Sequence, residues 1–205
     1  MASQASVVFA TARTLLNDDA ATLWTDPILL PKLVQAYREL ESKLRINAAQ
    51  IMKKTVNATI AINGLVYGTI SDIKEPIKLW EKAVGGLDSS YVLMTEYDPL
   101  PHVAQAATLI YWQWDGTNIN FIGSTAQRVV QVQYWRSLTE PTDNTSDLFF
   151  IDAEIYLAPR TAALAAGSVG EIEKFQAMTQ IAAEGLELVI QANRGRQAPP
   201  ATKRP

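Results

Sequence analysis

The chain has 205 residues with 18 Lys and Arg, 21 Asp and Glu, one His and no Cys, a length that fits one domain or one domain carrying a large insertion. That composition excludes a disulfide framework, thiolate metal sites and a Cys nucleophile, and with only His102 it excludes a His-rich metal cluster; a net charge of −3 excludes a uniformly basic nucleic-acid coat. Hydrophobic residues at 48% supply a core, while a charged fraction of 19% is low for a soluble monomer and points to surface covered by a partner.

Residues 3–16 read as a helix, ended by the breaker cluster Asn17-Asp18-Asp19. Thr25-Asp26-Pro27 opens a second helix, a capping side chain followed by Pro in the first turn. Pro31 comes late for that role and is expected to kink the first turn. Leu30, Leu33, Val34, Tyr37, Leu40, Leu44, Ala48 and Ile51 follow the three-four spacing of one apolar face, giving a helix of about 25 residues.

The middle third alternates. Val56–Ile62 fits a strand. Pro76-Ile77-Lys78-Leu79-Trp80 reads as an edge strand, where a Pro is tolerated. Tyr91–Thr95 is another strand, and Asp98-Pro99-Leu100-Pro101 a rigid turn. Thr108–Trp114 and Asn118–Ile122 form a hairpin about Asp115-Gly116-Thr117, whose Gly can take positive φ. Arg128–Arg136 is the next strand, with Val130, Val132 and Tyr134 on one face and Val129, Gln131, Gln133 and Trp135 on the other.

The last third is helical again. Ile151–Ala166 is Ala-rich, with a kink or helix start expected at Pro159 and an end at Gly167. Ser168-Val169-Gly170-Glu171 has the pattern of a capping box, from which a long helix runs with Ile172, Phe175, Thr179, Ala182, Leu186 and Val189 on its seam. The expected fold is α+β: a helical bundle from N- and C-terminal segments with a central antiparallel β insertion. Its divisions are helices at 1–54, the β-rich insertion at 55–146, helices at 147–193 and a basic tail at 194–205.

That tail holds Arg194, Arg196, Lys203 and Arg204 and no acid, so the remainder, with 14 basic against 21 acidic residues, carries about −7. An acidic body with a basic end points to an arm that docks on an acidic partner, or to a solvated terminus. No signal-peptide pattern and no run of about 20 apolar residues is visible, so the chain reads as soluble and intracellular, with no membrane contact.

Little in the sequence carries chemistry. His102 lies between turn-like segments without a sequence partner, and the acid pairs Asp18-Asp19 and Glu171-Glu173 sit at helix ends, where acids favour the dipole. No catalytic residue, metal site or cofactor is implied. The aromatic residues draw more interest: Trp112 and Trp114 share a strand face, and Trp135 lies on a strand expected nearby. Such a face is a core face, a subunit interface or a platform that stacks sugars or bases.

Several stretches together resemble the tailed-phage head-to-tail adaptor proteins, also called neck or connector-ring proteins. They are Ala12-Arg13-Thr14-Leu15-Leu16-Asn17-Asp18, Leu23-Trp24-Thr25-Asp26 and Ala36-Tyr37-Arg38-Glu39-Leu40 near the N-terminus. Further on, Ile77-Lys78-Leu79-Trp80-Glu81-Lys82, Trp112-Gln113-Trp114, Tyr134-Trp135-Arg136-Ser137-Leu138 and Leu157-Ala158-Pro159-Arg160-Thr161-Ala162-Ala163 look like the same group. The likeness covers most of residues 10–165. It implies a structural virion protein rather than an enzyme, a homo-oligomeric ring of twelve copies in the phage neck, assembled in the host cytoplasm. The implied partners are the portal protein above, a stopper, tail terminator or tail hub below, and DNA passing through the channel without sequence-specific binding. The rival readings are a carbohydrate-binding module using Trp112, Trp114 and Trp135, and an acid/base hydrolase with an unrecognised carboxylate pair.

Overall fold

The computed structural model describes residues 3–68 and 70–193. In chain order the elements are β1 (Ser3–Gln4), α1 (Ala5–Leu16), α2 (Asp26–Ile46), β2 (Lys53–Ile60), β3 (Val66–Tyr67), β4 (Ile73–Ala83), β5 (Val92–Leu93) and β6 (Thr95–Glu96). Then follow β7 (Tyr111–Trp114), β8 (Ile119–Phe121), β9 (Arg128–Arg136), β10 (Asp147–Leu148), α3 (Glu154–Ser168) and α4 (Ile172–Asn193). The fold is α+β, and the chain divides into a helical unit, residues 1–52 with 138–205, and a β unit, residues 53–137.

In the helical unit α3 is the central element and packs on α1, α2 and α4. Its alanines explain why: Ala158, Ala162, Ala163, Ala165 and Ala166 are buried, and small side chains let three helices approach one. Phe9, Leu29, Leu33, Tyr37, Leu40, Leu44 and Phe150 fill the rest of this core. Helix α2 stops at Ile46, short of the sequence reading, because Ala48 takes a left-handed φ of 53° and turns the chain. Thr25 precedes α2, but its side chain makes no capping bond, and Pro31 lies inside the helix. The loop 138–146, read from sequence with the β insertion, belongs to the helical unit: Arg38 grips Glu140 and Asn144 Nδ2 donates to Asp26 at 2.8 Å.

Two further readings of this unit are corrected. Gly167 does not end α3, and Ser168 forms no capping box; its hydroxyl donates to the Ala165 carbonyl at 2.6 Å as part of α3, and the chain turns at Gly170, φ 82°. The buried residues of α4 are Ala182, Gly185, Val189, Ile190 and Asn193, whereas Phe175 and Leu186 are half-buried and Ile172 is exposed. The seam is therefore rotated from the expected one toward small residues.

The β unit holds two four-stranded sheets, ordered β2-β9-β4-β5 and β3-β8-β7-β6. They share one core of Ala58, Ile60, Leu79, Met94, Leu109, Trp112, Ile119, Phe121, Val130, Val132 and Tyr134. The expected Tyr91–Thr95 strand is two short strands in different sheets. The chain crosses between them at Met94, whose N–H donates to Leu79 while the next N–H, of Thr95, donates to Ile110. Strands β6 and β7 run parallel, Thr95 beside Tyr111, because the loop between them returns the chain to its starting end; this sheet is mixed, the other antiparallel. Strand β4 is not an edge. It lies between β9 and β5, and Pro76 is accommodated at a register shift against β9, beyond the reach of the two-residue β5.

Candidate assembly surfaces

The three tryptophans singled out from the sequence do not form one face. Trp112 is 2% exposed at the centre of the β core, and Trp114, two residues on, is partly buried against the same core. Period two correctly puts both on one side of β7, but that side faces inward. Trp112 is thus not an interface aromatic. Trp135 belongs to the other sheet, on its outer side, with the Lys53 ammonium 5.2 Å from its ring centre. The sugar-stacking platform imagined from the sequence is not assembled.

Arg194, Arg196, Lys203 and Arg204 lie outside the described residues. His102 is exposed on the loop between β6 and β7. At least one acid of each pair is engaged within the fold. Asp18 accepts hydrogen bonds from the Thr22 hydroxyl at 2.6 Å and from the backbone N–H of Thr22, Leu23 and Trp24. These bonds, led by the Thr22 hydroxyl and the Trp24 N–H, hold its carboxyl at a pKa of about 2. Glu171 pairs with Lys174 at 3.0 Å. Among the described residues no group of three His, Asp or Glu is placed to hold a metal ion, and no helix is long and apolar enough to cross a membrane.

The charged side chains act as fasteners within each unit. Arg160 clamps Glu39 across α3 and α2, and Arg13 holds Asp26 while donating from Nε to the Trp24 carbonyl at 2.7 Å. In the β unit Glu81, 3% exposed, receives Arg128 Nε at 2.5 Å, and Asp72 accepts from both Lys54 Nζ and the Tyr134 hydroxyl at 2.8 Å. Burial opposes the charge on Asp72, but these two donors outweigh it and lower its pKa.

Large apolar side chains also reach the surface. Ile28 and Ile46 of α2, Ile181 and Leu188 of α4, and Leu87, Val92 and Leu93 of the β unit are all exposed. A shallow apolar cup lies at the α3–α4 corner, lined by Leu164, Gly167, Ile172, Phe175 and Gln176. The net charge is also unevenly placed. Residues 53–137 hold seven basic and seven acidic residues, while 1–52 with 138–193 hold seven basic and fourteen acidic, so the helical unit alone carries the excess of acid.

Residues 4–204 match the SU10 adaptor protein family. The chain belongs to that family. The adaptor is therefore a structural protein of phage, of the head-to-tail adaptor kind, and two of the stretches that carry the resemblance, around Glu39 and Arg160, join α2 to α3. No curated protein matches the adaptor chain.

Proposed function

We propose that the adaptor forms a ring of twelve copies beneath the portal, extends the DNA channel and presents a surface to the next neck or tail component. The observation that carries this reading is the family match over nearly the whole chain, residues 4–204. The apolar exposure on α2, α4 and the β unit supports it, because a ring subunit needs contacts on more than one side. The acid concentrated in the helical unit supports a channel lining there, since like charge keeps passing DNA from adhering. Residues 194–205, with four cations and no acid, are proposed to dock on an acidic surface of the portal or of a neighbouring subunit, where Arg makes bidentate bonds to carboxylates.

The symmetry of the neck in images of intact particles tests the ring. Twelve copies of 22.6 kDa give a density of about 270 kDa with twelvefold symmetry. An asymmetric or single-copy location would overturn it. The docking arm is tested separately, by binding of the full chain and of a chain lacking residues 194–205 to purified, DNA-free portal. Equal affinity would refute the arm and leave the ring intact.

A further inference from the structure

In the helical unit α2 and α4 each pack on α3, and each turns another side to solvent. The two solvent sides differ in sign. The carboxylates of α2 are used internally, with Asp26 bonded to Arg13, Glu39 to Arg160 and Glu41 buried. Its other charges are cations: Arg38, exposed and paired with Glu140, the exposed Lys43, and Lys32 and Arg45, half-buried at the margin of this side; Lys32, Lys43 and Arg45 form no salt bridge among the described residues. On α4 the outward charges are Glu173, Glu184 and Glu187, without a salt bridge among the described residues; the single cation, Lys174, is held by Glu171.

The spacing of the two sets matches. Lys32 and Lys43 are eleven residues apart, as are Glu173 and Glu184. Eleven residues are close to three helical turns, so each pair shares one helix face and spans about 16 Å. Exposed apolar residues flank both pairs: Ile28 and Ile46, which is 74% exposed, on α2, and Ile181 and Leu188 on α4. With the helices antiparallel, Lys32 meets Glu184, Lys43 meets Glu173, and Ile28 falls opposite Leu188. With them parallel, Lys32 meets Glu173, Lys43 meets Glu184, and Ile46 falls beside Leu188.

We infer that the α4 face of one adaptor copy seats on the α2 face of the next, so that Lys32 and Lys43 pair with Glu173 and Glu184 of the neighbouring copy. The occupant is a second copy of this chain because each face carries the complement of the other. The two faces are distinct patches, so the contact is heterologous, the kind that closes into a ring. The inference rests on the ring reading above and names the surfaces that build it.

The test uses two charge-reversed full-length chains, one with Lys32→Glu and Lys43→Glu, the other with Glu173→Lys and Glu184→Lys. Each is supplied alone, and then both together, to a phage lacking its own adaptor gene, and adaptor copies per purified particle are counted. Either chain alone presents like-charged faces to itself and should load at least about tenfold less than wild type. Supplied together, every contact in an alternating ring is again between opposite charges, so loading should return, with the two chains in equal amounts. Wild-type loading by either chain alone, or no recovery on mixing chains whose circular dichroism and melting match wild type, would overturn the inference. Should a reversed chain misfold, Ile181→Gln with Leu188→Gln removes the apolar part without reversing charge, and unchanged loading would overturn it equally. A wild-type neck without cyclic symmetry refutes the ring and this contact together. A symmetric ring indifferent to the reversals refutes the contact alone.

Discussion

Arg160 on α3 holds Glu39 on α2 in a two-pronged ion pair, Nε to Oε2 at 2.7 Å and Nη2 to Oε1 at 3.1 Å. The Tyr156 hydroxyl lies 3.4 Å from the same carboxylate, one turn before Arg160 on α3. Burial works against the Glu39 charge, but the Arg160 hydrogen bonds and charge outweigh it and leave its pKa below the usual carboxylate range. The pair sits in two of the stretches that carry the family resemblance, and its work is to fix the crossing of α2 on α3.

Replacing Arg160 by Met leaves a half-buried carboxylate without its partner. The expected cost is about 1–3 kcal/mol at neutral pH, less than for a fully buried pair because both side chains remain partly in water. The sign of the pH dependence follows from the depressed pKa. Wild type holds this stability above the unfolded pKa of Glu, about 4.3, and loses it as pH falls through the lower folded value. The gap between wild type and Arg160→Met in urea denaturation should therefore narrow between about pH 5 and pH 3. A gap that stays constant over that window would show that Arg160 acts by packing alone.

Leu40→Ala tests the core that the same helix builds. Leu40 is fully buried, so truncation should cost about 2–5 kcal/mol by chemical denaturation. A loss below about 0.5 kcal/mol would show that Leu40 is not part of the core in solution, since even a fully collapsed site keeps the transfer cost of the lost methyl groups.

These two residues also mark what was legible in the sequence. The three-four pattern of α2 gave Leu33, Tyr37, Leu40 and Leu44 as buried, because these four fall on one face, whereas Leu30, Val34 and Ile51 of the same expected stripe are only half-buried and Ala48, past the end of the helix, is exposed. Strand β9 was legible to its ends, since Val130, Val132 and Tyr134 alternate with polar residues. Helix α4 was not: Ile172, Ile181 and Leu188 are exposed while Gly185 is buried, so its apolar residues lie on several faces and the packing surface is chosen by backbone approach. The Trp112 face was legible as a face but not as inward, because period two fixes sidedness without saying which side is the core. Nor could the pairing of Arg160 with Glu39 be read, being set by tertiary contact across 121 positions. The α2 and α4 surface charges were visible as residues, but which of them are used internally required the structure.

Asp18 organises the loop between α1 and α2 by accepting four hydrogen bonds, and Asp18→Ala should lower the melting temperature at pH 6. The folded pKa, about 2, is below the ordinary Asp value of 3.8, so this contribution is complete above pH 3.8 and is lost as pH falls toward 2. The melting difference between wild type and variant should shrink over that range. Asp18→Asn, which keeps an acceptor oxygen but no charge, should fall between the two. An Asn variant as stable as wild type at pH 6 would show that the charge contributes nothing.

Gly185 is an exacting position in the helical unit. Pro159 has no N–H to donate to the carbonyl of Ile155, four residues before it on α3, and α4 passes that carbonyl with its backbone at Gly185. A Cβ on Gly185 would lie 2.5 Å from the Ile155 oxygen and 3.0 Å from its carbonyl carbon, so no side chain fits without moving one helix off the other. Propensity alone would favour Gly185→Ala by about 1 kcal/mol. Overpacking costs about 1–3 kcal/mol, and here the obstacle is backbone, which cannot rotate away, so the cost falls at the upper end and a net loss of up to about 2 kcal/mol is expected. Gly167 provides the comparison, since a Cβ there would meet only the Phe175 ring, at 3.0 Å, and that half-buried ring can tilt toward solvent. Gly167→Ala should therefore be neutral or stabilising in the same denaturation experiment, and a Gly185→Ala variant as stable as Gly167→Ala would show that α3 and α4 do not approach this closely in solution.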